Sequence, residues 1–277
     1  MQAPVNSGMD NVLSSKLCRI MEAAYNLFAP YTLSTSLDVC KVCCVTDKDE
    51  QLLLTTPLRE TSRDMLNNGY FCSAHGHARQ ENWEMKHFLP RVLELVSEFE
   101  IPCHSTEITF LRLGLNYPDY WKPAERELLD AYALAFFESC LRRYPLPDGN
   151  ALTDLLIMFG LAHFDLMPLL QAWVNAGTEA SMMHFVDLLA YELRIMSNGN
   201  VRLDNPFSDA VVESQLAFWL SNPVVRATWA VQLEDAILHG QLSDEQATET
   251  SLAYEVLTIG LDGLVAPPPL STPIGLP

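Results

Sequence analysis

Three of the seven cysteines in this 277-residue chain stand close together, at Cys40, Cys43 and Cys44. Two thiolates separated by two residues can reach one metal ion from a single tight turn, and zinc is commonly bound in this way. Further along the chain, Cys72 and His75 provide two more side chains of the types that zinc prefers. We therefore predict a zinc site formed by Cys40, Cys43, Cys44, Cys72 and His75.

Two other interpretations of the cysteines stay open. The 27 residues between Cys44 and Cys72 exceed the loops of ordinary zinc fingers. Unligated thiols pack beneath loops as small apolar side chains, which would make the cluster purely structural. A redox-active thiol pair is the third interpretation, although the strand and helix that flank a thioredoxin-like pair are not predicted here.

Helical periodicity extends along most of the chain and must position these cysteines. Apolar residues recur at steps of three and four, and sustained strand-like alternation is absent. The sequence therefore predicts an all-α fold, either a multi-helix bundle or an irregular HEAT-like α-solenoid of helical repeats. The predicted helices cover 10–28, 83–99, 105–115, 122–144, 151–162, 166–176, 178–196, 208–221, 223–239 and 243–260.

Five tryptophans are spaced through these predicted helices. Large aromatic side chains bury more apolar surface than any others, so tryptophans usually anchor a core. We predict this role, and no ligand-binding cage, for Trp83, Trp121, Trp173, Trp219 and Trp229.

A break in the helical pattern suggests where the chain divides. Pro145, Pro147 and Gly149 follow one another closely, and such residues interrupt helices. We predict an N-terminal helical subdomain over 1–146, which carries the cysteine loop, and a C-terminal acidic subdomain over 147–265. The remaining segment, 266–277, is rich in proline and is predicted to be an extended tail.

The charge of the chain is negative and uneven. The formal net charge is −18, and residues 1–144 account for −5 of it while residues 145–277 account for −13. A general nucleic-acid binder is excluded, because phosphate binding needs a basic surface. The acidic half either keeps the protein soluble or provides a docking face for a basic protein partner.

The sequence also favours a cytoplasmic protein without membrane spans. No apolar run approaches the roughly 20 residues that cross a bilayer. The amphipathic residues 9–30 lack the apolar stretch of a secretory signal. An odd number of cysteines in a chain of this size indicates reduced thiols and hence the cytoplasm. The oligomeric state is not predicted.

Four short motifs follow one another along the chain in a recognisable order. They comprise Leu37, Val39, Cys40, Cys43 and Cys44; Thr56, Pro57, Leu58 and Arg59; Tyr70, Ser73, Ala74 and Gly76; and Phe88, Leu89, Pro90, Arg91, Leu93, Glu94 and Leu95. The chain thereby resembles an uncharacterised family of bacterial cytosolic helical proteins with a LEVCxxC, TPLRxL, YxSAxG and FLPRxLEL pattern. The resemblance covers roughly residues 30–100. It implies a bacterial, cytosolic, α-helical protein and supplies no catalytic residue.

Two arginines beside apolar runs, Arg59 and Arg91, have two possible roles. In the favoured one, each pairs with an acid and holds the cysteine loop against the helices. The candidate acids for this role are Asp38, Glu60 and Glu94. In the other, the arginines line an anion-binding cleft together with Tyr70 and Ser73.

No established catalytic motif occurs in the sequence, such as G-x-S-x-G, H-E-x-x-H, a Walker loop or G-x-G-x-x-G. The first functional hypothesis is a non-enzymatic helical scaffold or interaction protein, adaptor-like or immunity-like, whose acidic face meets a basic partner. The alternative is a metal-dependent enzyme that uses the cysteine and histidine cluster. A helical bundle that binds a small molecule is the third hypothesis.

Overall fold

A computed structural model of the chain describes residues 7–74, 76, 78–196 and 199–263. In these residues the protein is predominantly helical, as the sequence predicts. The helices are α1 (Ser7–Phe28), α2 (Asp47–Thr55), α3 (Arg63–Leu66), α4 (Arg79–Ser97), α5 (Pro123–Cys140), α6 (Leu152–Leu161), α7 (Met167–Asn175), α8 (Glu179–Asp187), α9 (Ala210–Ser221), α10 (Pro223–His239) and α11 (Asp244–Thr258). Two short strands, β1 (Leu193–Ile195) and β2 (Val201–Leu203), form an antiparallel hairpin.

Local side-chain chemistry determines where several helices begin. Thr46 caps α2 by accepting a hydrogen bond from the N–H of Asp49 at 3.2 Å. Ser243 caps α11 in the same way, and the side chain of Gln246 accepts the N–H of Ser243 at 3.0 Å in return. Pro123 occupies the first position of α5, where a helix does not need an N–H donor. These caps satisfy backbone groups that a helix end leaves unpaired.

The chain divides into two compact units. The first contains the residues up to Cys140 together with Pro145–Asp165, and the second contains Leu141–Tyr144 together with the residues from Leu166 onward. Helix α6 thus belongs to the first unit. The domain boundary expected after residue 146 stays a prediction, and the expected tail, 266–277, lies outside the described residues.

Aromatic side chains form much of the core of the first unit. Helix α1 packs against α4 and α5, and α6 packs against α5. The ring of Phe110 lies 6.2 Å from that of Tyr132 and 5.8 Å from that of Phe159, measured between centroids. Tyr132 also stacks on Phe136 at 5.8 Å. All four rings are buried, so they contribute a large share of the apolar surface removed from water.

Four stacked aromatic rings form the centre of the second unit. Phe185 of α8 stacks on Trp229 of α10 with 4.0 Å between centroids, and Trp173 of α7 stacks on Trp219 of α9 at 5.7 Å. All four are at most 1% exposed. These three tryptophans are core anchors, as the sequence predicts.

The remaining tryptophans divide between core and surface. Trp121 is buried, as expected. The core prediction is wrong for Trp83, which is 47% exposed and donates its indole N–H to the carbonyl of Thr32 at 2.8 Å. A polar partner for the indole nitrogen keeps part of this side chain at the surface.

Two of the predicted helices are also corrected. The helix expected over 178–196 ends at Asp187, and its last residues form a π turn followed by strand β1. In the hairpin Leu193 pairs with Leu203, and Ile195 pairs with Val201. The helix expected over 105–115 is a series of turns with one short 3-10 segment, Leu111–Leu113. Among the described helices, none combines the length and apolar character needed to cross a membrane.

Candidate metal centre

The segment 37–45 carries three cysteines between α1 and α2. Residues 41–44 form a tight turn, and the N–H of Val45 closes it by donating to the carbonyl of Cys40 at 3.0 Å. Val45 is buried, whereas Val42 within the turn is 95% exposed. The turn is therefore anchored at its end and presents its cysteines at the surface.

The sulfur atoms of Cys40, Cys43 and Cys44 converge. The Sγ atoms of Cys40 and Cys43 are 3.5 Å apart, and those of Cys43 and Cys44 are 3.2 Å apart. All three Sγ atoms lie within 4.8 Å of one another. Sulfurs bound to one tetrahedral zinc ion at about 2.3 Å are separated by about 3.8 Å. The cluster can therefore hold a metal ion after small side-chain movements.

The turn stabilises a thiolate on Cys40. The backbone N–H groups of Cys43 and Val42 and the thiol of Cys43 donate to its sulfur, which lowers the pKa of Cys40 to about 7. Hydrogen bonds with the sulfurs of Cys44 and Cys40 raise the pKa of Cys43 to about 12. The cluster thus combines a thiol that ionises more readily than usual, Cys40, with one that ionises less readily, Cys43.

Two buried carboxylates hold the start of the cysteine segment. Glu50 of α2 accepts the N–H of Leu37 at 2.8 Å, and Glu84 of α4 accepts the N–H of Asp38 at 2.9 and 3.1 Å. The second oxygen of Glu50 accepts a hydrogen bond from the ammonium of Lys41 at 2.5 Å. Burial raises the pKa of Glu84, against the effect of the hydrogen bonds that it accepts. These contacts fix the segment against two helices.

A third anchor reaches Cys40 itself. The hydroxyl of Ser73 accepts the N–H of Cys40 at 2.7 Å. Arg112 donates to the carbonyls of Ser73 and Tyr70, and to the carboxylate of Glu81 at 2.6 Å. The side chains of Arg112 and Glu81 are each 3% exposed. A buried ion pair therefore supports the turn that holds Cys40.

Of the other two predicted ligands, the structure describes Cys72. The thiol of Cys72 donates to the carbonyls of Cys44 and Asn68, each at 3.3 Å, and its sulfur is not part of the converging group. Burial raises the pKa of Cys72. His75 lies outside the described residues. The roles of Cys72 and His75 as ligands stay predictions.

The arginines beside the apolar runs make structural contacts. Arg59 pairs with Glu22 at 2.9 Å and with Glu94 at 3.8 Å, and it lies 3.7 Å above the ring of Tyr25. Arg91 pairs with Glu94 at 3.0 Å and donates to the carbonyl of Thr61. Of the three candidate acids, Glu94 is the one that these arginines contact. The structural role is thus observed, but between helices and not at the cysteine segment.

The residues that anchor the cysteine segment were missed by sequence reasoning. A detectable signal was nevertheless present in α4, where Glu81 and Glu84 occupy the same helical face as the buried Met85 and Phe88. Charged residues are rarely buried without partners. Acids at apolar positions of an amphipathic helix therefore indicate a buried polar network.

A second polar concavity lies elsewhere in the first unit. It has a volume of about 480 Å³, and its lining includes Arg63, Glu98, Cys103 and His104. Burial raises the pKa of Cys103, which is the opposite of what a cysteine nucleophile requires. We therefore place the candidate functional site at the exposed cysteine turn.

No protein-family model, curated protein or solved structure matches this chain. The resemblance to a bacterial helical family therefore stays a prediction, and functional inference depends on the geometry of the site.

Proposed function

We propose that this protein binds a thiophilic metal ion, with Zn²⁺ as the first candidate, through Cys40, Cys43 and Cys44. The observation that carries the proposal is the convergence of three sulfurs within 4.8 Å on an anchored turn. Three protein ligands leave a fourth coordination position for water, an external ligand, or one of the predicted ligands Cys72 and His75.

The hydrogen bonds that hold the cysteine segment favour a metal-binding function over a chance grouping of three thiols. Backbone N–H groups that point at a thiolate act as outer-shell donors, and such donors orient and tune metal ligands. Glu50, Glu84 and Ser73 accept backbone N–H groups of the cysteine segment from buried positions. A rigid support of this kind preorganises a site before its ligand arrives.

Metal binding is expected to depend on each of the three cysteines. The full-length, untagged, reduced protein should bind one Co²⁺ with the charge-transfer absorption of thiolate ligands, and Zn²⁺ should displace it. Cys40→Ser, Cys43→Ser and Cys44→Ser should each weaken Zn²⁺ binding by about 100-fold or more, because an outer-shell change alone costs about 10–100-fold. Competition with a chromogenic chelator measures these affinities.

The matched control is Cys18→Ser, because Cys18 is an exposed free cysteine outside the cluster. It should leave the Zn²⁺ affinity unchanged. Cys72→Ser tests whether Cys72 is the fourth ligand. Absence of thiolate-to-cobalt absorption, or equal affinities of the cluster variants and the control, would contradict the proposed function.

Two finer predictions from the sequence remain open in this proposal. An open metal position is where a metal-dependent enzyme binds its substrate, so catalysis at this site stays the alternative prediction. The HEAT-like arrangement of helices also stays a prediction. With either prediction, the cysteine turn would be carried by a helical scaffold.

A second candidate function is binding of a basic protein partner, and helix α10 of the second unit provides the observation that favours it. Val224, Val231 and Leu238 repeat every seven residues on one face of α10 and are 70%, 66% and 65% exposed. Glu234 and Asp235 lie at the edges of this face near its C-terminal end. This apolar face with acids at its edges is complementary to a basic amphipathic helix. The apolar residues of such a helix would cover the exposed valines and leucine of α10, and its lysines would pair with Glu234 and Asp235.

The charge of the second unit favours this occupant over a second copy of the chain. Helix α10 carries one arginine, Arg226, near its N-terminal end, and no lysine or arginine follows it in the sequence. Two parallel copies of α10 would therefore bring Glu234 and Asp235 together with the same acids. The C-terminal end of a helix also carries partial negative charge, which Glu234 and Asp235 increase. A partner that supplies cations is therefore the favoured complement.

A synthetic amphipathic peptide with a leucine face and flanking lysines is expected to bind the full-length protein in a salt-sensitive way. The double variant Val224→Ser/Val231→Ser should weaken binding about tenfold or more, because it removes apolar surface from the contact. The matched control is Ile237→Ser, because Ile237 is on the same helix but outside the face that carries Val224 and Val231. Fluorescence anisotropy of the labelled peptide measures both.

Equal binding by the double variant and the control would contradict the α10 proposal. So would self-association of the unmodified protein in sedimentation experiments that the double variant abolishes, because the occupant would then be a second copy.

A further inference from the structure

The three sulfurs of the cluster are not equivalent as partners for oxidation. Cys43 lies between the other two, 3.5 Å from the sulfur of Cys40 and 3.2 Å from that of Cys44. A disulfide requires an S–S distance of about 2.05 Å and Cα atoms about 4.4–6.8 Å apart. Adjacent residues have Cα atoms only about 3.8 Å apart, which strains a bond between Cys43 and Cys44. The pair Cys40 and Cys43 is therefore the favoured disulfide, despite its longer sulfur separation.

The turn also exposes this pair to an attacking reagent. Cys43 is exposed, Cys40 is partly exposed, and Val42 between them is 95% exposed. The hydrogen bond from Cys40 N–H to Ser73 holds the start of the turn, and the buried Val45 holds its end. A reagent can thus approach the sulfurs while the backbone keeps them in proximity.

We propose that Cys40 and Cys43 are a dithiol–disulfide couple that exchanges with small-molecule disulfides, and that its oxidation releases the bound metal ion. The release rests on the proposed function, whereas the formation of the disulfide does not. Oxidation removes two of the three sulfur ligands, and the single thiolate of Cys44 cannot hold zinc in a tetrahedral site.

The chemistry balances with a disulfide as the oxidant. The Cys40 thiolate attacks one sulfur of a disulfide RSSR, the S–S bond breaks, and RS⁻ leaves and takes a proton from water. The Cys43 thiol then gives its proton to solvent, and its sulfur attacks the Cys40 sulfur of the mixed disulfide. A second RS⁻ leaves and takes a proton from water. Two electrons thereby pass from the cysteine pair to RSSR, which becomes two RSH.

The placement of the two thiols suits this order of attack. Cys40 is partly exposed and can meet a disulfide from solvent. The sulfur of Cys43 lies 3.5 Å from that of Cys40, so it is close enough to attack the mixed disulfide that forms there.

The test uses the full-length protein without metal and oxidised glutathione as the probe. Intact mass under non-reducing conditions should show the loss of two hydrogen atoms, and peptide mapping should locate a Cys40–Cys43 bond. Cys43→Ser should stop at a glutathione adduct on Cys40. Cys44→Ser retains the pair and should still form the bond, and Cys18→Ser is the matched control.

A second measurement tests metal release separately. Zinc-loaded protein treated with oxidised glutathione should transfer its zinc to a chromogenic chelator, and a thiol reductant should restore binding. A disulfide that maps to another pair, or a stable glutathione adduct in the unmodified protein, would overturn the couple. Formation of the Cys40–Cys43 bond with zinc retained would overturn the release. Failure of zinc to bind at all would instead overturn the proposed function and leave the couple standing.

Discussion

Replacing Lys86 by methionine is expected to destabilise the first unit by about 3–5 kcal/mol. The ammonium of Lys86 lies 2.7 Å from the carboxylate of Glu125, and their side chains are 4% and 0% exposed. Glu125 also accepts hydrogen bonds from the hydroxyl of Tyr31 and the N–H of Lys122. Removing Lys86 leaves the buried carboxylate with the more distant and largely exposed ammonium of Lys122, at 3.8 Å, as its cation. Urea unfolding followed by tryptophan fluorescence measures the loss, since Lys86 lies 4.4 Å above the ring of Trp121.

A partly exposed ion pair provides the matched control for this prediction. Lys16 and Glu138 are 2.9 Å apart, but their side chains are 39% and 33% exposed. Lys16→Met should cost less than about 1 kcal/mol, because solvent screens such pairs. Adding Glu125→Gln to Lys86→Met should recover part of the loss, since a neutral amide costs less to bury. Equal losses in the free energy of unfolding for Lys86→Met and Lys16→Met would contradict this prediction.

The same ion pair predicts a loss of stability in acid. Burial tends to raise the pKa of Glu125, but hydrogen bonds from Lys86, Tyr31 and the N–H of Lys122 hold it below its ordinary value. A carboxyl whose pKa is lowered by folding stabilises the native state above its unfolded pKa. This contribution disappears as the pH falls through the lowered, folded value.

Replacing Arg112 by methionine should combine a loss of stability with a loss of metal affinity. It removes the guanidinium that pairs with the buried carboxylate of Glu81 at 2.6 Å, which costs about 3–5 kcal/mol. It also removes the donor that holds the carbonyls of Ser73 and Tyr70. The hydroxyl of Ser73 then no longer fixes Cys40, so Zn²⁺ affinity should fall about 10–100-fold, as for other outer-shell changes.

Two variants separate these effects. Ser73→Ala removes the acceptor of the Cys40 N–H directly and should lower Zn²⁺ affinity while retaining the Arg112–Glu81 pair. Lys86→Met should destabilise the protein to a similar extent as Arg112→Met, but it should leave the affinity of the folded protein unchanged. Chelator competition under conditions where each variant remains folded distinguishes the cases. Equal affinities for Arg112→Met and Lys86→Met would contradict the proposed connection.

The helices with sustained periodicity were predictable, and the short elements were not. Helix α10 spans Pro223–His239, the range that the apolar pattern and its initial proline indicate. Strand β1 has three residues and follows an amphipathic helix without a break in the pattern. Three residues are too few to show alternation, because helical and strand periods differ only over longer windows.

The same distinction holds for the candidate site. The spacing of Cys40, Cys43 and Cys44 indicates local convergence, because four consecutive turn residues bring their side chains together. The contacts that fix the turn are distant in sequence: Glu84 binds the N–H of Asp38, 46 residues earlier. Spacing does not determine which loop meets which helix, so such partners become visible only in the folded chain.

The stacked rings of the second unit give it a distinctive near-ultraviolet circular dichroism signal. Trp173, Trp219 and Trp229 each lie within 6.3 Å of another aromatic centroid in this group, so their excited states couple through space. Trp121, packed edge-on against Phe28, belongs to the first unit. The first unit also contains Trp83, packed against Tyr31 at 4.7 Å between centroids. The indole–indole contribution to near-ultraviolet circular dichroism should therefore decrease when the second unit melts within the intact chain.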